Sequence, residues 1–128
     1  MKRLACVLPW ALSGAVCAQT QVLDDFTDAA RWRAGASDQV LASVHRQARG
    51  GVCLRYDFAG VSGHALLRRE LPLDFPAHYL LRLRLRGNGP ANALQLKFVD
   101  ASGDNVWWMN RVDYVPPAVS TELTIRQR

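Results

Sequence analysis

Between Tyr79 and Arg86 the chain alternates strongly, with Leu81, Leu83 and Leu85 on one parity and Arg82, Arg84 and Arg86 on the other. A period of two puts the leucines on one face of an extended strand and the arginines on the opposite face; a helix would scatter both sets around its axis. Alternation of this kind recurs far more often along the chain than helical spacing does. It predicts strands over residues 21–26, 39–47, 52–58, 64–71, 79–86, 93–99 and 120–126, with one helical turn over 28–33. In the 52–58 strand the inward set is Val52, Leu54, Tyr56 and Phe58. Arg49-Gly50-Gly51, the proline-bounded connection from Pro72 to Pro76, and Gly87-Asn88-Gly89-Pro90 supply the turns. Short strands at intervals of roughly 8–12 residues, separated by such turns, describe an all-β fold: an antiparallel β-sandwich of the jelly-roll type.

The segment from Asp100 to Arg111 joins a tight turn to a strand with two adjacent tryptophans, Trp107 and Trp108. Neighbours in a strand point to opposite faces, so one indole enters a core and the other faces outward. With a short Ala101-Ser102-Gly103 loop flanked by Asp100 and Asp104, Phe98 falls opposite Val106, Leu96 opposite Trp108 and Leu94 opposite Asn110. That face is apolar. The other pairs Lys97 with Trp107 and Gln95 with Met109, which makes Trp107 the outward platform and Trp108 the core residue. An outward indole beside hydrogen-bonding side chains suits stacking on the apolar face of a sugar ring. The candidate carbohydrate-binding residues are therefore Trp107, Gln95, Lys97 and Arg84, with Asn105 at the rim. Arg84 joins them on condition that its strand lies beside the 93–99 strand; the competing reading is a solvated outer arginine face. For Trp107 the competing reading is packing under a loop or against another domain.

Met1-Lys2-Arg3, the apolar run from Leu4 to Val16 and the small residues Cys17-Ala18 have the charged, apolar and cleavage regions of a secretory signal peptide. Residues 1–18 are expected to be removed, placing the mature 19–128 domain in the periplasm or outside the cell. The apolar run is interrupted by Pro9 and Ser13 and falls short of the roughly 20 residues a membrane-spanning helix needs. Of three cysteines, only Cys53 remains after the leader, so no intrachain disulfide is available, and no histidine near it in sequence activates the thiol. Lys2 and Arg3 carry away two of the five net positive charges, leaving a mild +3. Without an arginine cluster, a groove-reading helix or zinc spacing, nucleic-acid binding has no support.

Three segments suggest a family. The opening Val22-Leu23-Asp24-Asp25-Phe26-Thr27-Asp28 with Trp32, the strand from Gly50 through Val52-Cys53-Leu54-Arg55-Tyr56 to Phe58, and the strand from Asp104 through Trp107-Trp108 to Arg111 resemble galactose-binding-like jelly rolls. They are similar to the carbohydrate-binding-module-like N-terminal domains of secreted bacterial proteins, which are often fused to a discoidin (coagulation factor 5/8 type) domain or a glycoside hydrolase. The resemblance implies glycan binding on a concave face or loop rim, sometimes with a structural calcium near the first strand, where Asp24 and Asp25 stand. It also implies a closing strand beyond the 120–126 segment, so the chain is expected to lack its last strand.

Other constellations have plainer explanations. Gly60-Val61-Ser62-Gly63-His64 lacks the final glycine of a nucleophile elbow and no helix is expected after it. His45, His64 and His78 show no metal-ligand spacing, and a hairpin turn accounts for the residues from Asp100 to Asp104 without a calcium loop. Glu70 and Glu122 are the only glutamates, and nothing pairs a nucleophile with a base. The sequence thus reads as a non-catalytic, cofactor-free polysaccharide-binding module that targets a fused or partner enzyme. The alternative is a structural or protein-interaction jelly roll docking a neighbouring domain or subunit.

Overall fold

The computed structural model describes residues 19–126. The expected signal peptide, 1–18, lies outside the described residues. The fold is all-β, built from antiparallel strand pairs and a single 3-10 turn, and it forms two compact units that divide between Pro72 and Leu73, in the proline-bounded connection.

In the first unit, the 3-10 turn Ala29–Arg31 is capped by Asp28, whose carboxylate accepts from the Ala30 N–H at 3.1 Å. Strand β1 (Arg33–Ala36) pairs antiparallel with β4 (Ala65–Arg68), and β2 (Leu41–Arg46) with β3 (Val52–Asp57). The β2–β3 turn needs glycine: Gly50 and Gly51 have φ of +84° and +107°, and Gln47 N–H donates to the Gly51 carbonyl at 3.0 Å. Val40 is buried, and Val44 faces Leu54 across the hairpin. Within the expected inward set, Val52, Leu54 and Phe58 are half-buried while Tyr56 is exposed, its ring edge-on to Phe58 with centroids 5.5 Å apart.

The strand expected over 21–26 does not form. Asp24 turns its carboxylate onto the Phe26 N–H at 2.6 Å, and Phe26 takes a φ of +57°, an unfavourable conformation for a bulky residue. What holds it is tertiary. Its ring stacks on Trp32 at 5.1 Å and its carbonyl accepts from Gly51 N–H at 3.2 Å.

In the second unit, β5 (Leu80–Leu85) pairs antiparallel with β8 (Thr121–Arg126), and β6 (Asn92–Val99) with β7 (Val106–Tyr114). The alternation in β5 works as the sequence implies: Leu81, Leu83 and Leu85 turn inward, while Arg82 and Arg84, with Arg86 just past the strand, are exposed. Leu83 faces Leu123 and Leu81 faces Ile125, with Leu123 and Ile125 only 7% and 5% exposed. Four aromatics of this unit form a closed ring. Phe75 meets Tyr79 at 4.6 Å and Phe98 at 4.8 Å, and Trp107 meets Phe98 at 5.4 Å and Tyr79 at 6.1 Å. Edge-to-face and tilted pairs of this kind each add about 0.5–1.5 kcal/mol beyond the area they bury.

Candidate functional site on the outer face of the tryptophan hairpin

The loop between β6 and β7 decides which tryptophan faces out. Val99 pairs with Val106, and Asp100 N–H donates to the Asn105 carbonyl at 3.1 Å, so the loop proper is the four residues from Ala101 to Asp104 rather than three. A β-turn opens it, with Gly103 N–H donating to the Asp100 carbonyl at 3.1 Å and Gly103 at a φ of +81°. The Asp100 carboxylate organises the turn. It accepts from Ser102 Oγ at 2.6 Å, Gly103 N–H at 2.9 Å and Asn105 Nδ2 at 2.6 Å. These donors stabilise its charged form, the Ser102 hydroxyl most, and hold its pKa down at about 2.

One more loop residue slips the register by one position, and a one-residue slip exchanges the faces of a strand. Phe98 therefore sits opposite Trp107, Lys97 opposite Trp108, Leu96 opposite Met109 and Gln95 opposite Asn110. This corrects the expected pairing: Trp107 belongs to the aromatic ring on the apolar side, and Trp108 is the outward indole, 53% exposed.

Of the residues expected at the site, Lys97 and Gln95 are on the outer face as anticipated, beside Trp108 instead of Trp107. Lys97 Nζ lies 5.7 Å from the Trp108 ring centroid, a cation–π contact on an open surface. Arg84 is elsewhere: its strand pairs with β8, not β6, and it stands opposite Glu122 in a different sheet. Asn105 closes the base of the loop, its amide committed to Asp100. Trp108 and Asn110 are the residues the sequence reading missed; the signal was the capacity of Asp100 and Asn105 to close a four-residue loop. Beyond Leu94 a bulge sets Val112 and Asp113 against Ala93, with Asp113 at a φ of +54°. Near the loop the face is apolar, because Val99 and Val106 flank Trp108 and are 57% and 50% exposed.

The acidic opening is engaged by the chain's own donors. Asp24 forms an ion pair with Arg69, both side chains nearly buried, and the Arg69 guanidinium lies 5.8 Å over the Trp32 ring. Asp25 accepts from the Thr27 N–H at 3.0 Å and hydroxyl at 2.8 Å, which lowers its pKa. Among the described residues, no three His, Cys, Asp or Glu side chains gather closely enough to hold a metal ion. The sequence separates Cys53 from every histidine, but the β2–β3 register sets it opposite His45, whose Nε2 is 2.8 Å from Ser43 Oγ. Gly60 to His64 forms the loop between β3 and β4, followed by a strand. No helix among the described residues is long and apolar enough to cross a membrane. Compared with known protein families, curated proteins and solved structures, the chain matches none of them.

Proposed function

We propose that this chain is a non-catalytic carbohydrate-binding module, exported by its leader, with a galactose-binding-like jelly-roll arrangement of its sheets, that holds a fused or partner enzyme on a polysaccharide. The observation that carries the reading is the exposed Trp108 indole on the outer face of the β6–β7 hairpin, with Gln95, Lys97 and Asn110 around it. An aromatic plane supplies the apolar contact with a pyranose ring, and amide and ammonium groups beside it hydrogen-bond the equatorial hydroxyls.

The test is titration of the chain with soluble polysaccharides, followed by calorimetry, beside a Trp108→Ala variant. As an anchor, Trp108 contributes about 1–3 kcal/mol, so binding falls roughly 5- to 150-fold when it is removed. Undiminished binding of a neutral polysaccharide by Trp108→Ala refutes the site. A folded protein that binds no polysaccharide refutes the function.

A second reading, a protein-interaction jelly roll, is favoured by the exposed Val99–Val106 pair beside Trp108. An apolar rim suits a protein partner better than a hydroxylated one. In that case Trp108→Ala and Val106→Ser weaken capture of the neighbouring domain, and polysaccharide has no effect.

A further inference from the structure

The arginines that leave the tryptophan face form a surface of their own. On the outer side of the β5–β8 sheet, Arg82 and Arg84 come from β5, Arg126 from β8, and Arg86 follows β5 by one residue, all exposed. Glu122 is the only carboxylate placed among them, and it pairs at 3.8 Å with Arg82, its diagonal neighbour, rather than with Arg84 directly opposite. Arg84, Arg86 and Arg126 have no carboxylate within ion-pair distance among the described residues. On an isolated two-stranded face, a row of like charges is unfavourable, since cations on neighbouring positions repel. Arg84 and Arg86 stand two residues apart, and Arg126, opposite Leu80, stands at the far end of the same row beyond Arg82; unpaired guanidinia spread along one face are a feature that a linear polyanion would relieve.

We infer that the outer face of the β5–β8 sheet is a second binding surface, separate from Trp108, that takes a linear acidic polysaccharide through Arg84, Arg86 and Arg126. Residues two apart in a strand advance about 6.6–6.8 Å, so the β5 arginines present planar donor forks at regular intervals along a straight line. Guanidinium forks match carboxylates and sulfates with paired hydrogen bonds. Single-stranded nucleic acid fits less well, because its binders interleave aromatic platforms with the cations, and between these arginines stand Leu80, Thr124 and Glu122. The inference uses none of the residues of the tryptophan site.

Polygalacturonate is the anionic probe, with a neutral galactan and oligo-dT as comparators, and affinity is measured at several salt concentrations. The chain is expected to bind polygalacturonate at least tenfold more tightly than oligo-dT, with affinity falling as salt rises. Arg84→Gln/Arg86→Gln is expected to lose at least tenfold on polygalacturonate while melting at the wild-type temperature and binding neutral galactan unchanged. Arg84→Lys/Arg86→Lys keeps the charge but loses the paired fork, and is expected to fall in between. Trp108→Ala is expected to leave polygalacturonate binding within twofold of wild type. Equal binding of oligo-dT, an unaltered Gln variant, or loss of polygalacturonate binding in Trp108→Ala alone would each overturn the inference. Failure of neutral-galactan binding, or its persistence undiminished in Trp108→Ala, would count against the tryptophan site and leave this inference standing.

Discussion

Replacing each tryptophan of the hairpin separately by alanine distinguishes the two registers through folding stability. Trp107 contacts Phe98 at 5.4 Å and Tyr79 at 6.1 Å within the aromatic ring, and its face is lined by Leu94, Leu96 and Met109. Truncating a well-packed tryptophan costs about 3–5 kcal/mol, and partial exposure at this site lowers that to roughly 2–4 kcal/mol. Trp108 is 53% exposed and its specific neighbour is the Lys97 ammonium, so Trp108→Ala removes a surface cation–π contact worth about 0.5–1 kcal/mol. The two variants should therefore differ by about 1–3.5 kcal/mol, with Trp107→Ala the less stable. For a chain of this size the urea m-value is roughly 1–2 kcal/mol/M, which places the midpoints at least about 0.5 M apart. Far-UV circular dichroism is the appropriate signal, because each substitution deletes a fluorophore. The register with a three-residue loop demands the opposite order. A Trp108→Ala protein as unstable as Trp107→Ala, or more so, would refute the pairing of Phe98 with Trp107.

Three further outcomes follow from named contacts. The Asp100 carboxyl, lowered from 3.8 to about 2 by its hydrogen bonds, should titrate near that value by NMR and rise toward the ordinary range in Ser102→Ala. Because the folded pKa is depressed, its contribution to hairpin stability is complete above the unfolded value of 3.8 and is lost as pH falls through about 2. A wild-type midpoint near 3.8 would contradict the loop geometry. Asp24→Asn keeps an acceptor for the Phe26 N–H but leaves Arg69 nearly buried without its counter-charge, at a cost on the order of 2–4 kcal/mol. Adding Arg69→Met should recover part of that loss in thermal melts, and strictly additive losses would argue against the ion pair. Gly103→Ala meets open space but must adopt a φ of +81°, so the expected destabilisation is about 1 kcal/mol, and an unchanged melting temperature would place that backbone outside the left-handed region.

Most strands were legible because their alternation is local. The 79–86 run sorts leucines from arginines at any register, and β5 turns the one set inward, half-buried, and exposes the other as anticipated. The opening failed for a reason that is also local but competes with alternation. Asp24 can satisfy the Phe26 amide through its side chain, and Arg69, 45 residues away, then fixes the turn by an ion pair that no short window displays. Cys53 and His45 are another case, eight residues apart in the chain and facing each other only once Gly50 and Gly51 close the β2–β3 hairpin.

What the sequence determined by itself is the class: period-two burial, glycine and proline turns, and adjacent tryptophans that must take opposite faces of one strand. Which face each took, and which strand lay beside the arginines, only the tertiary structure decided. Four loop residues instead of three move every β7 side chain to the opposite side, because a strand's side-chain period is two. The partner of β5 is set across 35 residues of intervening chain, where Leu123 and Ile125 bury against Leu83 and Leu81 and leave Arg84 facing Glu122 rather than the tryptophan hairpin. Non-local apolar burial outweighs any preference of the arginine row itself, and so it separates two surfaces whose residues are near neighbours in sequence.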